Sequence, residues 1–333
     1  MEEKEKKTVA DILIERFLKD VDEKGTMPWQ RPYECYNSFN YFSKTAYRGF
    51  NRLLLPFGEY MTANQINAYN REHNEDFNIM RTSDFKSIEW YPISFFKREE
   101  KPCSFKEASE TFPDIDVSSI NGRIGYEKGY NYYNEDGTYS KSRSILRYYR
   151  VADRKWFKNS KGELLPSRLE TGEVEIVKAE PKRVINEYMA RTGVKVQKDH
   201  AGVPCYVPSM DLVQLNPYTK DEDSWFSTAF HEFAHSTGAK SRLNRIGITY
   251  EGMKPGERNQ VYAVEECIAE IAAYLCCAEC GVYDFKTSGT MEYDNNVAYV
   301  QGWKSRIKDF GKELFYICSQ ADKAFNYILG EVI

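Results

Sequence analysis

Histidine is scarce in this chain, with four residues among 333, and no run approaches the roughly 18 apolar residues that a membrane span needs. The charged start, MEEKEKK, lacks the apolar segment of a secretory signal, and the eight cysteines have no regular spacing. We therefore expect a cytoplasmic protein with reduced thiols and no membrane partner. The net charge of -4 is not typical of a nucleic-acid-binding protein, so any such binding needs a local basic patch.

Two of the scarce histidines, His231 and His235, stand four residues apart with Glu232 between them, in the order H-E-x-x-H. Residues four apart on an α-helix project from one face, so both imidazoles can reach a single cation. A Zn²⁺ ion with such ligands keeps one position open and lowers the pKa of water there. Glu232 is then placed as the general base. The spacing predicts one zinc ion in a metallopeptidase site, although Mn²⁺ or Fe²⁺ accepts the same ligand types.

The third ligand is expected to be a carboxylate. Ser241 stands where the metzincin pattern needs another histidine, and the two remaining histidines lie upstream in contexts that are not typical of ligands. Residues 259–280 have the apolar spacing of a long helix, on which Glu266 and Glu270 lie among small side chains. We predict Glu266 as the ligand and Glu270 as the acceptor that orients a metal-bound imidazole. The inverse assignment stays open, and Glu265 is expected to point elsewhere.

A cysteine cluster, Cys276, Cys277 and Cys280, lies near the end of the same predicted helix. A second metal site there would need a partner pair at zinc-finger spacing, and the sequence contains none. These cysteines are therefore predicted to be small buried side chains.

The first half of the chain predicts a mixture of helices and strands. Residues 8–24 have the spacing of an amphipathic helix, and residues 60–71 form another in which Thr62 is the N-cap. Two segments have the aromatic and β-branched content of strands: residues 89–97 and 144–152. Between them, residues 101–143 are expected to be an insertion or a long loop.

The second half predicts an α+β domain. The turn-forming stretch 158–166 places the boundary between two domains, 1–157 and 158–333. In the second domain the strands precede the metal-binding helix, an order that suits a zinc hydrolase. The predicted elements are a helix at 182–192, strands at 195–197, 204–207 and 212–215, the metal-binding helix at about 223–237, and two further helices within 295–329.

The residues around the histidine pair resemble a known family. The stretch from His231 to Arg245, HEFAHSTGAKSRLNR, is similar to the signature of the ArdC-type antirestriction proteins of plasmids and conjugative elements. The resemblance continues downstream, and it reaches the first half through Tyr47-Arg48-Gly49-Phe50-Asn51 and through Leu146-Arg147 with Tyr149. It implies an α+β protein with an N-terminal single-stranded-DNA-binding domain of mixed α/β structure. A zincin-like metallopeptidase domain carrying the H-E-x-x-H helix is then expected to follow.

The resemblance also implies single-stranded DNA as a partner of the first half. Single strands bind basic grooves in which bases stack on aromatic rings, and this half contains both ingredients. The alternative is that many of these rings form a core and that the polar residues tie loops together. The residues expected to bind DNA are Trp29, Arg31, Tyr47, Arg48, Asn51 and Gln65.

Two functions of different classes follow. In the first, the protein belongs to a mobile element, binds single-stranded DNA, and uses a zinc peptidase site on an unidentified protein or peptide, so that incoming DNA is protected from restriction. In the second, the protein protects DNA by covering it, and its metal site is structural. Glu232 discriminates between them, because only the first requires a general base.

Overall fold

The structure is a computed structural model, and it describes residues 7–25, 38–79, 88–103, 122–126, 129–133, 139–174, 178–217, 222–254, 256, 258–282 and 313–330. Its contacts divide the chain into two compact units. One unit comprises Met1–Leu13 with Pro92–Arg150, and the other comprises Ile14–Tyr91 with Val151–Ile333. The boundary expected at 157/158 stays a prediction.

The smaller unit is built mainly from four strands: β4 (Tyr91–Cys103), β5 (Gly122–Tyr126), β6 (Gly129–Tyr133) and β7 (Tyr139–Asp153). Strands β5, β6 and β7 pair antiparallel in chain order, and β4 also pairs with β7. The long-loop interpretation of 101–143 is therefore wrong for the described residues of that range, which lie in these strands. Tyr, Asn and Gly dominate β5 and β6, so the apolar alternation that identifies a strand in sequence is absent, and the neighbouring strands supply the stability.

Helix α1 (Val9–Lys24) confirms the first predicted helix. Its start is set by Thr8, whose hydroxyl accepts a hydrogen bond from the Asp11 backbone at 3.2 Å, while the Asp11 carboxylate accepts from the Thr8 backbone at 2.8 Å. These reciprocal bonds satisfy two amide groups that have no partner within the helix.

The first half of the larger unit begins with β1 (Phe39–Asn40), α2 (Phe50–Leu54), β2 (Glu59–Met61) and α3 (Ala63–His73). Thr62 is the N-cap of α3, as predicted, and Gln65 completes a capping box with it. The predicted start at residue 60 is wrong, because Tyr60 and Met61 belong to β2 and pair with the end of β7. Pairing with another strand overrides the helical spacing there. A short ribbon, β3 (Asn78–Ile79) with β8 (Phe157–Lys158), follows.

The second half of the chain, which contains the predicted metal-binding helix, follows the predicted order. It contains α4 (Pro181–Thr192), β9 (Lys195–Gln197), β10 (Cys205–Val207), β11 (Leu212–Gln214), α5 (Glu222–Thr237), α6 (Ile246–Thr249), α7 (Arg258–Cys280) and α8 (Glu313–Leu329). The three strands form a small sheet in the order β10-β11-β9, with β10 antiparallel and β9 parallel to β11. The first of the two helices expected within 295–329 lies outside the described residues.

The core of this half lies where α7 packs against both α5 and α8. Phe230 and Phe233 of α5 are fully buried, as is Ile317 of α8. The cysteine cluster at 276, 277 and 280 is also buried, which confirms its prediction. Within the described ranges, no helix has the length and apolar content to cross a membrane.

Candidate metal centre

The two histidines of α5 meet at the edge of the interface between α5 and α7. Their Nε2 atoms lie 3.1 Å apart, as expected for imidazoles that project from consecutive turns of one helix face. His235 is buried, and the side chain of His231 is 22% exposed. The pair therefore has one open side, which a catalytic site needs and a closed structural site does not.

Glu266 of α7 faces this pair. Its Oε2 atom lies 3.5 Å from His231 Nε2, and its Oε1 atom lies 3.4 Å from His235 Nε2. Three donor atoms in a tetrahedral zinc site, each about 2.1 Å from the metal, are separated from one another by about 3.4 Å. The observed separations of 3.1–3.5 Å match this value. Within the described residues, this is the one group of three His, Cys, Asp or Glu side chains that can hold a metal ion.

The other nitrogen of each imidazole faces a second carboxylate. His231 Nδ1 lies 3.5 Å from Glu270 Oε2, and His235 Nδ1 lies 3.3 Å from Glu265 Oε1. An acceptor at Nδ1 fixes the tautomer that leaves Nε2 free to bind a metal and makes that nitrogen more basic. Glu270 thus lies where the sequence predicted an orienting acceptor, on the side of the ring away from the three-donor group.

Glu265 was missed as a site residue, because it was expected to point away from the metal centre. It is 1% exposed and forms two hydrogen bonds with Arg245, at 2.9 Å from Nε and 2.6 Å from Nη2. Arg245 is itself buried and also donates to the Ala234 carbonyl and the Thr237 hydroxyl. A buried carboxylate needs such a partner. The sequence did contain a sign of this acid's role, because Arg245, at the end of the HEFAHSTGAKSRLNR stretch, is a cation with which a buried carboxylate can pair.

Glu232 is buried on the same helix. Burial raises the pKa of its carboxyl, although the histidines and a hydrogen bond from the Tyr206 backbone N–H act in the opposite direction. A carboxylate whose pKa is raised toward neutrality accepts and returns a proton more readily at neutral pH. The edge strand β10 therefore helps to hold the candidate base in place.

A second buried arginine connects β10 and β11 to the end of α5. Arg242 donates two hydrogen bonds to Asp211, at 2.9 and 2.7 Å, and a third to the Ser236 carbonyl at 2.9 Å. Asp211 also accepts from the Tyr206 hydroxyl at 2.9 Å. The Tyr206 hydroxyl is thus engaged in this network.

The carboxylates determine the charge of the centre. Burial lowers the pKa of His231, but hydrogen bonds to Glu266 and Glu270 outweigh that effect and raise the pKa to about 10. Burial raises the pKa of Glu266, but hydrogen bonds from His231 and His235 bring it well below its ordinary value. Each imidazole faces glutamates at both ring nitrogens, and their negative charge favours a bound cation.

Gly247 packs closely against Glu265, so a substitution at Gly247 tests whether the position of this buried acid contributes to stability. A Cβ atom at Gly247 would lie 2.5 Å from the Cβ of Glu265. We expect Gly247→Ala to push Glu265 away from His235 and to cost about 1–3 kcal/mol of unfolding free energy. Gly256→Ala is the matched control, since nothing lies within 4 Å of its added methyl group. Equal denaturant midpoints for the two variants would contradict this packing.

The structure does not gather those predicted DNA-binding residues that it describes, Tyr47, Arg48, Asn51 and Gln65, into one exposed surface. Trp29 and Arg31 lie outside the described residues. Tyr47 is 7% exposed, so its ring is unavailable for stacking, and its hydroxyl accepts from Asn40 at 3.2 Å. Gln65 is half-buried and engaged in the cap of α3. The burial of Tyr47 agrees with the alternative that rings of this segment form a core.

The segment around Arg48 packs against the last helix. The backbone N–H of Gly49 and the guanidinium of Arg52, at 3.3 Å, donate to the carboxylate of Asp322 in α8. Phe50 contacts Phe315 with ring centroids 4.8 Å apart. Arg48 stays exposed and Asn51 is half-buried. This segment therefore joins the first half of the larger unit to its helical core.

The residues of the candidate metal centre lie within a match to a known family model. Residues 183–320 match the family model of a zincin-like metallopeptidase. The chain is 24% identical, over 97% of its length, to a protein named DNA primase TraC from Escherichia coli, of which it covers 20%. It is 26% identical, over 42% of its length, to the uncharacterized protein y4eC of Sinorhizobium fredii (strain NBRC 101917 / NGR234), of which it covers 42%. The chain thus spans about a fifth of the length of the first relative and less than half of the length of the second.

Two solved structures have a similar fold. Both are crystal structures of the antirestriction ArdC protein from the R388 plasmid. The metal-free structure matches with a TM-score of 0.62 at 20% identity, over 97% of each chain. The Mn(II)-bound structure matches with a TM-score of 0.59 at 19% identity, over 97% of this chain and 98% of that chain. The similarity therefore includes both the metal-binding half and the half that precedes it.

Proposed function

Because the chain has the ArdC-type fold with a zincin-like metallopeptidase domain, we propose that it is an antirestriction protein of a mobile element and a zinc-dependent peptidase that binds single-stranded DNA. One observation carries the peptidase assignment. Three donor atoms from His231, His235 and Glu266 lie at tetrahedral spacing beside the buried Glu232. The related ArdC structure with bound Mn(II) supports a divalent ion at such a site.

The residues present suit a catalytic zinc ion. His231, His235 and Glu266 would hold it, and Glu270 and Glu265 would orient the two imidazoles. A bound Zn²⁺ would polarise the peptide carbonyl and lower the pKa of water. The donor set contains no thiolate, and one side of the histidine pair is open, as in zinc sites that act on a substrate.

Glu232 performs the proton transfers. Its carboxylate accepts a proton from the water that attacks the peptide carbonyl, and it then donates that proton to the leaving amine as the C–N bond breaks. The Tyr206 backbone N–H holds the carboxylate in place throughout. Strand β10 lies at the edge of the small sheet, so an extended peptide has a strand edge close to the site on which to align.

The choice of Glu266 over Glu270 as the ligand can be measured. We expect Glu270→Gln to weaken zinc binding by about 10- to 100-fold, the usual effect of losing an acceptor outside the ligand set. Glu266→Gln should weaken binding by a larger factor, because it replaces a ligand. Competition titrations with a zinc chelator dye give both constants, and the opposite order would assign Glu270 as the ligand.

The antirestriction role has a direct assay. Unmodified plasmid DNA is transferred into a restricting host that produces the chain, and the recovery of transformants is compared with that in a host carrying the empty vector. Increased recovery in the restricting host, and equal recovery in a host without restriction, supports the role. No difference between chain and vector in the restricting host would overturn it.

The second candidate is a protein that covers DNA and whose metal site is structural. One observation favours this second candidate. The Tyr206 hydroxyl donates a hydrogen bond to Asp211, so this bond engages a group that could otherwise stabilise a substrate oxyanion. The open side of the histidine pair and the buried Glu232 favour the peptidase. The two candidates differ in whether protection of DNA requires Glu232.

A further inference from the structure

Two paired strands of the smaller unit expose aromatic rings to solvent. On β4, Phe95 is 41% exposed and Phe96 is 66% exposed, and on β7, Tyr149 is 36% exposed. Exposed rings of this size cost free energy in water, because apolar area that folding normally removes from solvent remains in contact with it. A group of them on one small sheet indicates a binding surface rather than incidental exposure.

Two of these rings form an open pair on one face. The centroids of Phe95 and Tyr149 lie 5.6 Å apart, and the ring planes are tilted by 50°. Because side chains alternate along a strand, Lys97 and Arg147, each two residues away, occupy the same face as the pair. Both basic residues are exposed. We call this group of four residues the β4/β7 platform.

Among the described side chains the charge around the platform is positive, although strand β4 also carries Glu99 and Glu100 after Lys97. Strand β7, YSKSRSILRYYRVAD, carries four basic residues and a single acid, Asp153, at its end. The described side chains at 94–97 and 145–150 include three cations, Lys97, Arg147 and Arg150, and no acid. The whole chain carries a net charge of -4, so this local charge runs against the overall balance. A polyanion is the ligand class that such a patch attracts.

Rings and cations together select among polyanions. A ligand that offers only phosphates would need only cations on the protein. Exposed rings flanked by cations suit a ligand that has both phosphates and accessible aromatic bases. In a duplex the bases are stacked and their faces are hidden, but in a single strand each base offers a face to a ring. We propose that the β4/β7 platform binds single-stranded DNA, with bases stacked on Phe95 and Tyr149 and phosphates on Lys97 and Arg147.

This proposal rests on the proposed binding of single-stranded DNA and gives that binding a location. It differs from the location expected from sequence, where Tyr47 was one of the stacking residues. Tyr47 is buried, whereas the platform rings are exposed. The sequence pattern did not separate the two, because both lie in aromatic segments interspersed with basic residues.

The test is fluorescence anisotropy of a labelled 20-nucleotide oligothymidylate titrated with the full chain. We expect Phe95→Ala with Tyr149→Ala to raise the Kd by at least about 30-fold, since each stacked base contributes about 1–3 kcal/mol. Phe95→Tyr with Tyr149→Phe keeps both rings and should bind as the wild type does. Tyr316→Ala, which removes a ring that is 48% exposed on α8, is the matched control and should also bind normally.

Charge is tested separately, so that the proposal does not depend on one variant. Lys97→Gln with Arg147→Gln should reduce the slope of log Kd against log salt by about 1.4, or about 0.7 for each lost phosphate contact. Arg71→Gln, an exposed arginine of α3, should leave the slope unchanged.

The outcomes separate this proposal from the one on which it rests. If the wild type binds, and the ring-removing and charge-removing double variants bind equally well, the platform is overturned while single-strand binding stands. If the wild type does not bind the oligonucleotide, both are overturned. If a duplex of the same length competes as well as the single strand does, base stacking on the platform is overturned.

Discussion

Replacing Glu232 by glutamine is expected to lower peptide hydrolysis by about 10²- to 10⁴-fold, the range that general acid–base catalysis contributes. The amide has nearly the shape of the carboxylate but cannot accept the proton of the attacking water. Zinc binding should persist, because Glu232 is not among the three donors that converge on one point. The measurement is cleavage of fluorescein-labelled casein by zinc-loaded protein, with metal content determined on the same samples.

Glu222→Gln is the matched control for this prediction. Glu222 is exposed in the first turn of the same helix, α5, and its carboxylate lies 3.9 Å from Lys182. The same chemical change there should leave both hydrolysis and zinc content unaltered. Equal hydrolysis by Glu232→Gln and the wild type would exclude Glu232 as the base.

The Glu232→Gln variant also decides between the two proposed functions. A peptidase that protects DNA by hydrolysis should lose protection in the restricting host together with its activity on casein. A protein that protects DNA by covering it should keep full protection. This comparison is informative because the change alters a single carboxylate and leaves the platform on β4 and β7 intact.

Replacing Arg245 by methionine is expected to cost about 3–5 kcal/mol of unfolding free energy, as when one partner of a buried ion pair is removed. The side chains of Arg245 and Glu265 are 2% and 1% exposed. Without the guanidinium, the Glu265 carboxylate would be left with His235 alone, and the hydrogen bonds to Ala234 and Thr237 would also be lost. Chemical denaturation followed by far-ultraviolet circular dichroism measures the loss.

Arg183→Met is the control for this loss. Arg183 and Glu187 form an exposed i,i+4 pair on α4, with 3.0 Å between Nη1 and Oε1. Such pairs contribute only about 0.3–0.5 kcal/mol.

A double variant, Arg245→Met with Glu265→Met, should recover most of the stability, because two apolar side chains replace the ion pair. It should not recover zinc affinity, since His235 Nδ1 loses its acceptor. A single Arg245→Met variant as stable as Arg183→Met would contradict the role of the buried pair.

The metal-binding part of the chain was largely predictable, because its chemistry is local to helices. The four-residue spacing places His231 and His235 on one face of α5. The positions of Glu266 and Glu270 on α7 follow from the helical period in the same way. The predicted strands of the small sheet and the helices around them agree with the structure within one or two residues. The α+β class and the ArdC-type resemblance are confirmed by the fold.

Features that depend on distant partners were not predictable from local pattern. Glu265 was expected to point away from the metal centre, and only the approach of Arg245, 20 residues earlier in the chain, explains a buried acid there. The strands within 101–143 have too little apolar alternation to be recognised, since their pairing is decided by neighbours. Tyr47 was expected to be a platform for bases, but it is buried beside Asn40.

The most direct test of the account is X-ray absorption spectroscopy at the zinc edge on the zinc-loaded chain. We predict one zinc ion with four light nitrogen or oxygen neighbours at about 2.0–2.2 Å, two of them giving the outer-shell scattering of imidazole. The His231→Ala variant should lose one imidazole contribution. A sulfur neighbour at about 2.3 Å, which would place the metal on the cysteines, or a spectrum without imidazole scattering, would contradict a centre built from His231, His235 and Glu266.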